Sequence, residues 1–228
     1  MFNDSDTLLN DTYVSDNPLA VLKPTKEPRL YTLAEFLDRE ERSQELHEYY
    51  DGIIIKLPMA RSPHNIIGAN MITALNMAFM AMDKNYLVSG LQQLVYSPKL
   101  NYGLYPDVLV IAEKPQFWDD NEVLLLNPIA IIEVLSKSTK KYDRTDKFTE
   151  YKTISSFREY VLIDQNKSHV ETRFREEPNL WRDTIVTEMT DSIYLKSLDC
   201  AISLKHIYRN IEFPKPRNKR LKYWDTKV

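Results

Sequence analysis

Two acidic residues lie where the surrounding sequence predicts buried β-strands. Asp107 begins the run DVLVIAE, and Glu133 lies near the end of the run IAIIEVL. Two ionised carboxylates on an apolar sheet face are unfavourable unless one is protonated or a cation neutralises the pair. Because the expected ligands are oxygen atoms and the chain has one cysteine, the cation that fits is Mg²⁺ or Mn²⁺. The alternative is structural, a cap after Pro106 and an ion pair with a lysine, and the spacing alone does not decide between them.

The connection between these two strands predicts how the acids meet. It covers about residues 113–126, which is short and shows no helical period, so it favours an antiparallel pair over a parallel crossover. In an antiparallel pair the start of one strand lies beside the end of the other. We therefore expect Asp107 and Glu133 at the same rim of the sheet, each on the face of its i±2 neighbours.

Two local patterns indicate elements that precede the acids. Thr32 and Glu35 form a capping box, which predicts that a helix begins there. The Asp-Gly pair at 51–52 separates two β-prone runs. Because a tight two-residue turn needs positive φ, this pair predicts a hairpin between strands at about 46–50 and 53–57.

Two further helices are predicted around the acids. Ser62 as N-cap and Pro63 at the first helical position begin the first one. Its methionines are predicted to pack in the core, and they are Met71, Met77, Met80 and Met82. His64, at this helix start, could contact a substrate, although a lone histidine is more often structural or exposed. The second helix is amphipathic, runs for about three turns and is capped by Thr139.

The composition excludes several classes of protein. The chain has 228 residues with 30 Lys and Arg against 33 Asp and Glu, and no apolar run reaches the roughly 18 residues of a membrane-spanning helix. An acidic N-terminus argues against export, so we expect a cytoplasmic protein. Four glycines provide no glycine-rich loop for a nucleotide, which excludes kinase and Rossmann-type interpretations. We divide the chain into a loose arm at 1–30, one domain at 31–213 and a basic tail at 214–228.

Four ordered blocks of the sequence resemble a known superfamily. They are HEYYDGIII, YPDVLVIAE, NPIAIIEVLSKST and YDRTDKFTEYKTISSFREYVLID. Together they are similar to the PD-(D/E)XK restriction-endonuclease-like superfamily and, within it, to the bacterial restriction-endonuclease family of the Uma type, over about residues 31–213. The resemblance implies an α/β fold, with a mixed central β-sheet flanked by helices. It also implies Mg²⁺-dependent cleavage of phosphodiester bonds, with Mn²⁺ as a possible substitute and DNA as the substrate.

The resemblance assigns roles to individual residues. Asp107 matches the aspartate of the PD motif, and Glu133 matches the second acid, so both would be metal ligands together with the backbone carbonyl of Val134. Glu48, from HEYYDG, matches an additional acid that binds the metal directly or through water. A metal held there would polarise the phosphoryl oxygen and lower the pKa of an attacking water. The alternative for Glu48 is an exposed strand residue beside a turn.

One residue departs from the superfamily pattern. The motif Glu-x-Lys would have lysine where this chain has Leu135. The family resemblance offers Lys147 on the following helix as the catalytic cation, and Lys137 is the second candidate. The alternative for Lys147 is a surface ion pair with Asp143, four residues before it.

The sequence therefore predicts a metal-dependent DNA endonuclease. The first alternative is a catalytically inactive nucleic-acid-binding or regulatory module on the same scaffold, which the missing lysine makes credible. A second alternative is a protein-interaction scaffold whose acids form surface ion pairs. Restriction-like enzymes often dimerise to cut two strands, so a homodimer is possible, although nothing in the sequence marks an interface.

Overall fold

The computed structural model describes residues 29–90, 92–118, 120 and 122–214. Most of the predicted arm, at 1–28, and nearly all of the predicted basic tail, at 215–228, lie outside these residues. The helices are α1 (Leu33–Arg42), α2 (Ser62–Ala81), α3 (Lys140–Arg144), α4 (Asp146–Tyr151) and α5 (Leu204–Ile207). The strands are β1 (His47–Tyr50), β2 (Ile53–Lys56), β3 (Leu87–Gly90), β4 (Leu94–Ser97), β5 (Tyr102–Leu104), β6 (Val108–Ile111), β7 (Leu124–Leu125), β8 (Ala130–Leu135), β9 (Glu159–Asp164), β10 (Val170–Glu177), β11 (Leu180–Val186), β12 (Ser192–Leu195) and β13 (Cys200–Ser203).

The strands form a central sheet, a second sheet and a separate hairpin. The central sheet has the order β11-β10-β9-β8-β6-β3, and only its β8–β9 pair is parallel. The second sheet has the order β2-β1-β5-β4-β7, and β12 pairs with β13. The predicted fold class, an α/β fold with a mixed central sheet flanked by helices, is confirmed. None of the described helices is long and apolar enough to cross a membrane.

The central sheet buries both of its faces because its inner strands are apolar on both sides. On one face, Val108 and Ile132 pack with α2, α5 and the β12–β13 hairpin. On the other face, Leu109 and Ile131 pack with α3, α4 and the second sheet. Near-continuous apolar strands are typical of a sheet that is covered on both sides. The site described below lies at one rim of this sheet, where the second face meets α4.

Two local predictions before the central strands are confirmed. The Thr32 hydroxyl accepts a hydrogen bond from the Glu35 amide at 3.2 Å, and the Glu35 carboxylate accepts from the Thr32 amide at 2.8 Å. The Asp-Gly turn has φ values of 44° and 99°, and it joins β1 to β2 in the expected register. This hairpin matters for function because β1 carries Glu48.

Helix α2 differs from its prediction in two respects. Ser62 is the first helical residue, and the N-cap is Arg61, which makes no side-chain capping hydrogen bond. The core prediction is right for Met71 but wrong for Met77 and Met80, which are 63% and 81% exposed. The reason is that a 20-residue helix on one sheet face buries a single side, and these two methionines lie on the other.

The amphipathic helix predicted after Thr139 is two short helices. The helix is interrupted at Thr145, whose φ and ψ of −118° and −82° are not helical. The Thr145 hydroxyl donates to the carbonyl of Lys141 at 2.9 Å. A threonine hydroxyl bonded four residues back competes with regular helix geometry. Thr139 makes no side-chain capping hydrogen bond to this helix. The break allows residues on both sides of it, including Lys147, to be buried.

Candidate active site

The antiparallel pairing of β6 and β8 brings the two predicted acids together. Val108 pairs with Ile132, so Asp107 and Glu133 are the next positions along the same register. Consistent with this, Oδ2 of Asp107 accepts a hydrogen bond from the backbone amide of Val134 at 2.6 Å. The predicted hairpin-like pairing and the shared rim are therefore both present.

Asp107 is the more open of the two acids. Its side chain is 26% exposed, and its Oδ1 lies 2.8 Å from Nε2 of His64, in the first turn of α2. Burial disfavours the charged imidazole, but the hydrogen bond and the charge of Asp107 outweigh burial and raise the pKa of His64. This pairing was not predictable from the sequence, because the two residues are 43 positions apart on different elements.

Glu133 is almost completely enclosed. It is 3% exposed, and its Oε1 accepts from Nζ of Lys147 at 3.0 Å and from the Tyr151 hydroxyl at 3.2 Å. Its Oε2 has no hydrogen-bond partner within the part of the chain that the structure describes. Burial raises the pKa of Glu133 well above its usual range, Lys147 opposes that rise, and the charge of Asp107 adds to it.

Lys147 lies beneath the rim and contacts three oxygen atoms. Its Nζ is 3.0 Å from Oε1 of Glu133, 3.1 Å from Oε1 of Glu48 and 3.0 Å from the carbonyl of Tyr105. Burial works against the ammonium charge, but Glu133 and Glu48 outweigh it and hold the pKa of Lys147 well above its usual range. The alternative of a surface ion pair with Asp143 is wrong, because Lys147 is 4% exposed and its ion-pair partners are the two glutamates.

The structure shows what occupies the position of the missing Glu-x-Lys lysine and where the two candidate lysines lie. Leu135 is 1% exposed and packs in the core between β8 and α4. Lys147 on α4 therefore supplies a cation beside Glu133 from a different element. Lys137, the second candidate, is exposed in the turn that follows β8.

Glu48 holds the lysine and the backbone amide of Tyr105. It is 1% exposed, so the alternative of an exposed strand residue is wrong. Its Oε1 accepts from the amide of Tyr105 at 3.2 Å as well as from Lys147, and its Oε2 accepts from the Tyr50 hydroxyl at 2.5 Å. Both oxygens are thus engaged by protein groups. Tyr105, two residues before Asp107, is held at both its amide and its carbonyl.

Two buried groups near the lysine have surroundings that the sequence did not indicate. Tyr151 donates to Glu133, and its spacing of four residues from Lys147 on α4 is the signal that both share one helix face. Asp143 on α3 is 4% exposed, and burial raises its pKa to about 7. Tyrosines at helical spacing are usually core residues, so this spacing alone does not distinguish Tyr151 from a residue that only packs.

The donor set fits a hard divalent cation that keeps part of its water shell. In the described ranges, no three or more His, Cys, Asp or Glu side chains are grouped as a metal cage. Asp107 and Glu133 nevertheless provide two carboxylates at one rim, and Oε2 of Glu133 has no hydrogen-bond partner there. Mg²⁺ is typically bound by one or two carboxylates together with water and substrate phosphate. The residues that would hold such an ion are Asp107, Glu133 and the carbonyl of Val134.

Comparison with known proteins identifies the family to which this chain belongs. Residues 33–205 match the Uma2 family, whose description is "Putative restriction endonuclease". The chain belongs to this family. The match contains all of Glu48, Asp107, Glu133 and Lys147, and the resemblance seen in the sequence is confirmed.

Two relatives of this Uma2 family member come from Synechocystis sp., and a solved structure of similar fold comes from Anabaena variabilis. "Uncharacterized protein sll1609" of Synechocystis sp. is 36% identical over 60% of this chain and 76% of its own length. "Uncharacterized protein slr1290" of the same organism is 27% identical over 78% of this chain and 92% of its own length. The crystal structure of "a putative nuclease belonging to DUF820" from Anabaena variabilis superposes with a TM-score of 0.61. It covers 78% of this chain and 97% of its own at 19% identity, so it shows a shared fold.

Proposed function

We propose that the protein is a metal-dependent nuclease that hydrolyses phosphodiester bonds of DNA. The observation that supports this most strongly is the grouping of Asp107, Glu133 and Lys147, in which a buried ammonium lies 3.0 Å from the enclosed acid. Membership of a restriction-endonuclease family and a nuclease-like fold agree with this chemistry. An acid pair with an adjacent lysine serves phosphoryl transfer because the reaction develops negative charge on oxygen.

The acids in this proposal hold the cation. Asp107 and Glu133 are its carboxylate ligands, and the carbonyl of Val134 is the third protein ligand. When bound, Mg²⁺ or Mn²⁺ supplies positive charge to the phosphoryl group and favours ionisation of water. His64 fixes the orientation of Asp107, since its Nε2 lies 2.8 Å from one oxygen while the Val134 amide holds the other.

Lys147 acts in this proposal through its charge. An ammonium has three N–H donors, and three oxygens from Glu48, Glu133 and Tyr105 accept them. Its positive charge therefore stabilises the charge that develops at the rim, and its hydrogen bond orients Glu133. Glu48 is accordingly assigned to hold Lys147, because it is 1% exposed and its Oε1 accepts from Lys147, whereas the Asp107 side chain is 26% exposed at the rim.

Exposed cations near the rim fit a phosphate backbone. Arg61 is the N-cap residue of α2, three residues before His64, while Lys137 and Lys140 lie in the segment that follows β8. All three side chains belong to exposed residues. Sequence-independent affinity for DNA comes mainly from such contacts and weakens with salt.

The test is a cleavage assay on supercoiled, linear and single-stranded DNA with Mg²⁺ or Mn²⁺. We expect cleavage by the wild type and at least a hundredfold loss in Asp107→Asn, because one carboxylate ligand is removed. Asp199→Asn is the matched control, since Asp199 is an exposed aspartate on the β12–β13 turn, away from the rim. Equal cleavage by Asp107→Asn and Asp199→Asn would refute the proposed site.

The second candidate function is a nucleic-acid-binding or regulatory module without turnover. It is favoured by one observation, the apolar Leu135 at the position where the superfamily motif has lysine. This candidate predicts DNA affinity that falls with salt, needs no divalent cation and survives Asp107→Asn. A protein-interaction scaffold predicts no DNA affinity even at low salt.

A further inference from the structure

A chain of buried side chains leads from Glu48 away from the rim. Oε2 of Glu48 contacts the Tyr50 hydroxyl at 2.5 Å, and that hydroxyl also contacts the hydroxyl of Tyr142. The Tyr142 hydroxyl in turn lies 2.9 Å from Oε2 of Glu150. The four residues are between 1% and 6% exposed, and they connect β1 with α3 and α4.

This chain has more contacts than phenolic hydrogens. It contains three oxygen–oxygen contacts, and each needs one hydrogen between its two atoms. The two tyrosines supply two, because burial raises the pKa of Tyr50 and of Tyr142 well above their usual range and keeps both protonated. If both glutamates were ionised, one contact would bring lone pairs together in a buried site, which is unfavourable. The third hydrogen therefore belongs to a glutamic acid.

The surroundings identify which glutamate carries it. Glu48 is compensated by Lys147 at 3.1 Å and by the amide of Tyr105 at 3.2 Å, so it is the ionised end. Glu150 has no Lys, Arg or His within ion-pair distance among the residues described, and its Oε1 is buried without a hydrogen-bond partner. An uncompensated carboxylate in such a place is costly, whereas a neutral acid is not. In agreement with this, burial raises the pKa of Glu150 to about 7.

We propose that Glu150 is a protonated positioning residue at the head of a directed chain of hydrogen bonds. In this arrangement the carboxyl O–H of Glu150 is the donor across its 2.9 Å contact with Tyr142. Tyr142 then donates to Tyr50, and Tyr50 donates to Glu48, whose other oxygen holds Lys147. Loss of the Glu150 proton removes the hydrogen from one contact and adds a second buried anion. The chain that ties α3 and α4 to β1 is then weakened, and Lys147 is held less firmly.

The consequence is a pH-sensitive element on the side of Glu48 away from the rim. The effect of this element on catalysis rests on the proposed function, because it acts through Lys147. The assignment of the proton to Glu150 does not, because it follows from the number of hydrogens in the three contacts. The ionisable groups that act on Glu150 come from four elements: Glu48 and Tyr50 on β1, Tyr102 on β5, Tyr142 on α3, and Asp146, Lys147 and Tyr151 on α4.

The test is a carbon-13 NMR titration of the glutamate side-chain carboxyls, which requires no cleavage activity. We expect one resonance to titrate near pH 7 and to be absent in Glu150→Gln, which retains an N–H donor in place of the acid proton. Glu150→Asp provides a second assignment if the glutamine variant does not fold. A Glu150 midpoint below pH 5, or assignment of the high midpoint to Glu48 by Glu48→Gln, would overturn the proposal.

A tyrosine variant distinguishes two causes of the high Glu150 midpoint, the directed chain of hydrogen bonds and burial alone. In Tyr50→Phe the Tyr142 hydrogen is free to donate to Glu150, so we expect the Glu150 midpoint to fall by at least one pH unit. Tyr102→Phe is the matched control, because Tyr102 is near Glu150 and stacks edge-on against Tyr50 but belongs to none of the three contacts. A midpoint that does not change in Tyr50→Phe, or that falls equally in Tyr102→Phe, would contradict the directed chain.

Discussion

At the scale of single residues, Lys147 determines the electrostatics of the site. It is the cation shared by Glu48 and Glu133, and both acids are nearly inaccessible to solvent. A buried charge network of this kind is satisfied only when each member is present. The family resemblance suggested Lys147, but the sequence could not reveal these contacts, because they join β1, β8 and α4 and because the superfamily motif Glu-x-Lys has its lysine at the position of Leu135.

Lys147→Met tests this shared role. We expect it to lower the free energy of unfolding by about 3–5 kcal/mol, since two buried carboxylates lose their cation. Urea denaturation measures the change, and Lys140→Met, at an exposed position of α3, is the control, expected to change stability by less than about 0.5 kcal/mol. Adding Glu48→Gln to Lys147→Met should recover part of the loss. Equal stability of the two lysine variants would contradict the shared role.

At the scale of elements, the close approach of β3 to β6 positions the aspartate. Gly90 pairs with Val108, and a Cβ added at Gly90 would lie 2.8 Å from the carbonyl of Asp107. Such a contact forces one strand to move. The sequence does not show why a glycine lies here, because the neighbour that requires it lies on another strand. The interruption of the helix at Thr145 was also not predictable from the sequence, since burial of residues on both sides of it overrides a regular helical period.

Alanine substitutions at two glycines test this close approach, one at Gly90 and one at Gly68, where an added Cβ has room. Gly90→Ala should destabilise the protein by about 1–3 kcal/mol and impair any activity that depends on Asp107. Gly68→Ala, on α2, has no atom within 4 Å of the added Cβ, so it should stabilise by about 0.5–1 kcal/mol. Thermal unfolding of both variants measures the difference. If both substitutions had the same effect, the close approach would not be what requires glycine at Gly90.

At the scale of the whole molecule, the fold was predictable and the site only in part. The apolar runs and the short connection between them placed Asp107 and Glu133 on neighbouring antiparallel strands. The pairing of His64 with Asp107 and the chain from Glu48 to Glu150 depend on how distant elements pack. Such contacts leave no periodic signal in a single sequence.

The buried acids also predict how the stability of the whole molecule varies with pH. The pKa of Glu150 is raised from 4.5 to about 7 and that of Asp143 from 3.8 to about 7, both chiefly by burial. In each case the folded state binds the proton more tightly, so the stability from protonation is complete below the unfolded pKa and is lost as pH rises to the folded value. We expect the free energy of unfolding to fall between about pH 4.5 and 7.

Urea denaturation across this range checks the prediction. Arg144 and His169 lower the pKa of Glu171 despite burial. Glu171 therefore loses its contribution to the free energy of unfolding only as pH falls below the ordinary glutamate pKa of 4.5, which is outside this window. Glu150→Gln should reduce the slope between pH 4.5 and 7, because its amide does not titrate. A wild-type stability that rises through this interval would contradict the assignment of buried neutral acids.

The most direct measurement for the account is Mn²⁺ binding, followed by electron paramagnetic resonance or calorimetry, in wild type, Asp107→Asn, Glu133→Gln and the control Asp199→Asn. We expect saturable binding by the wild type and Asp199→Asn, and at least tenfold weaker binding by both Asp107→Asn and Glu133→Gln. Equal binding by all four proteins, or none by the wild type, would contradict the claim that Asp107 and Glu133 together hold a divalent cation.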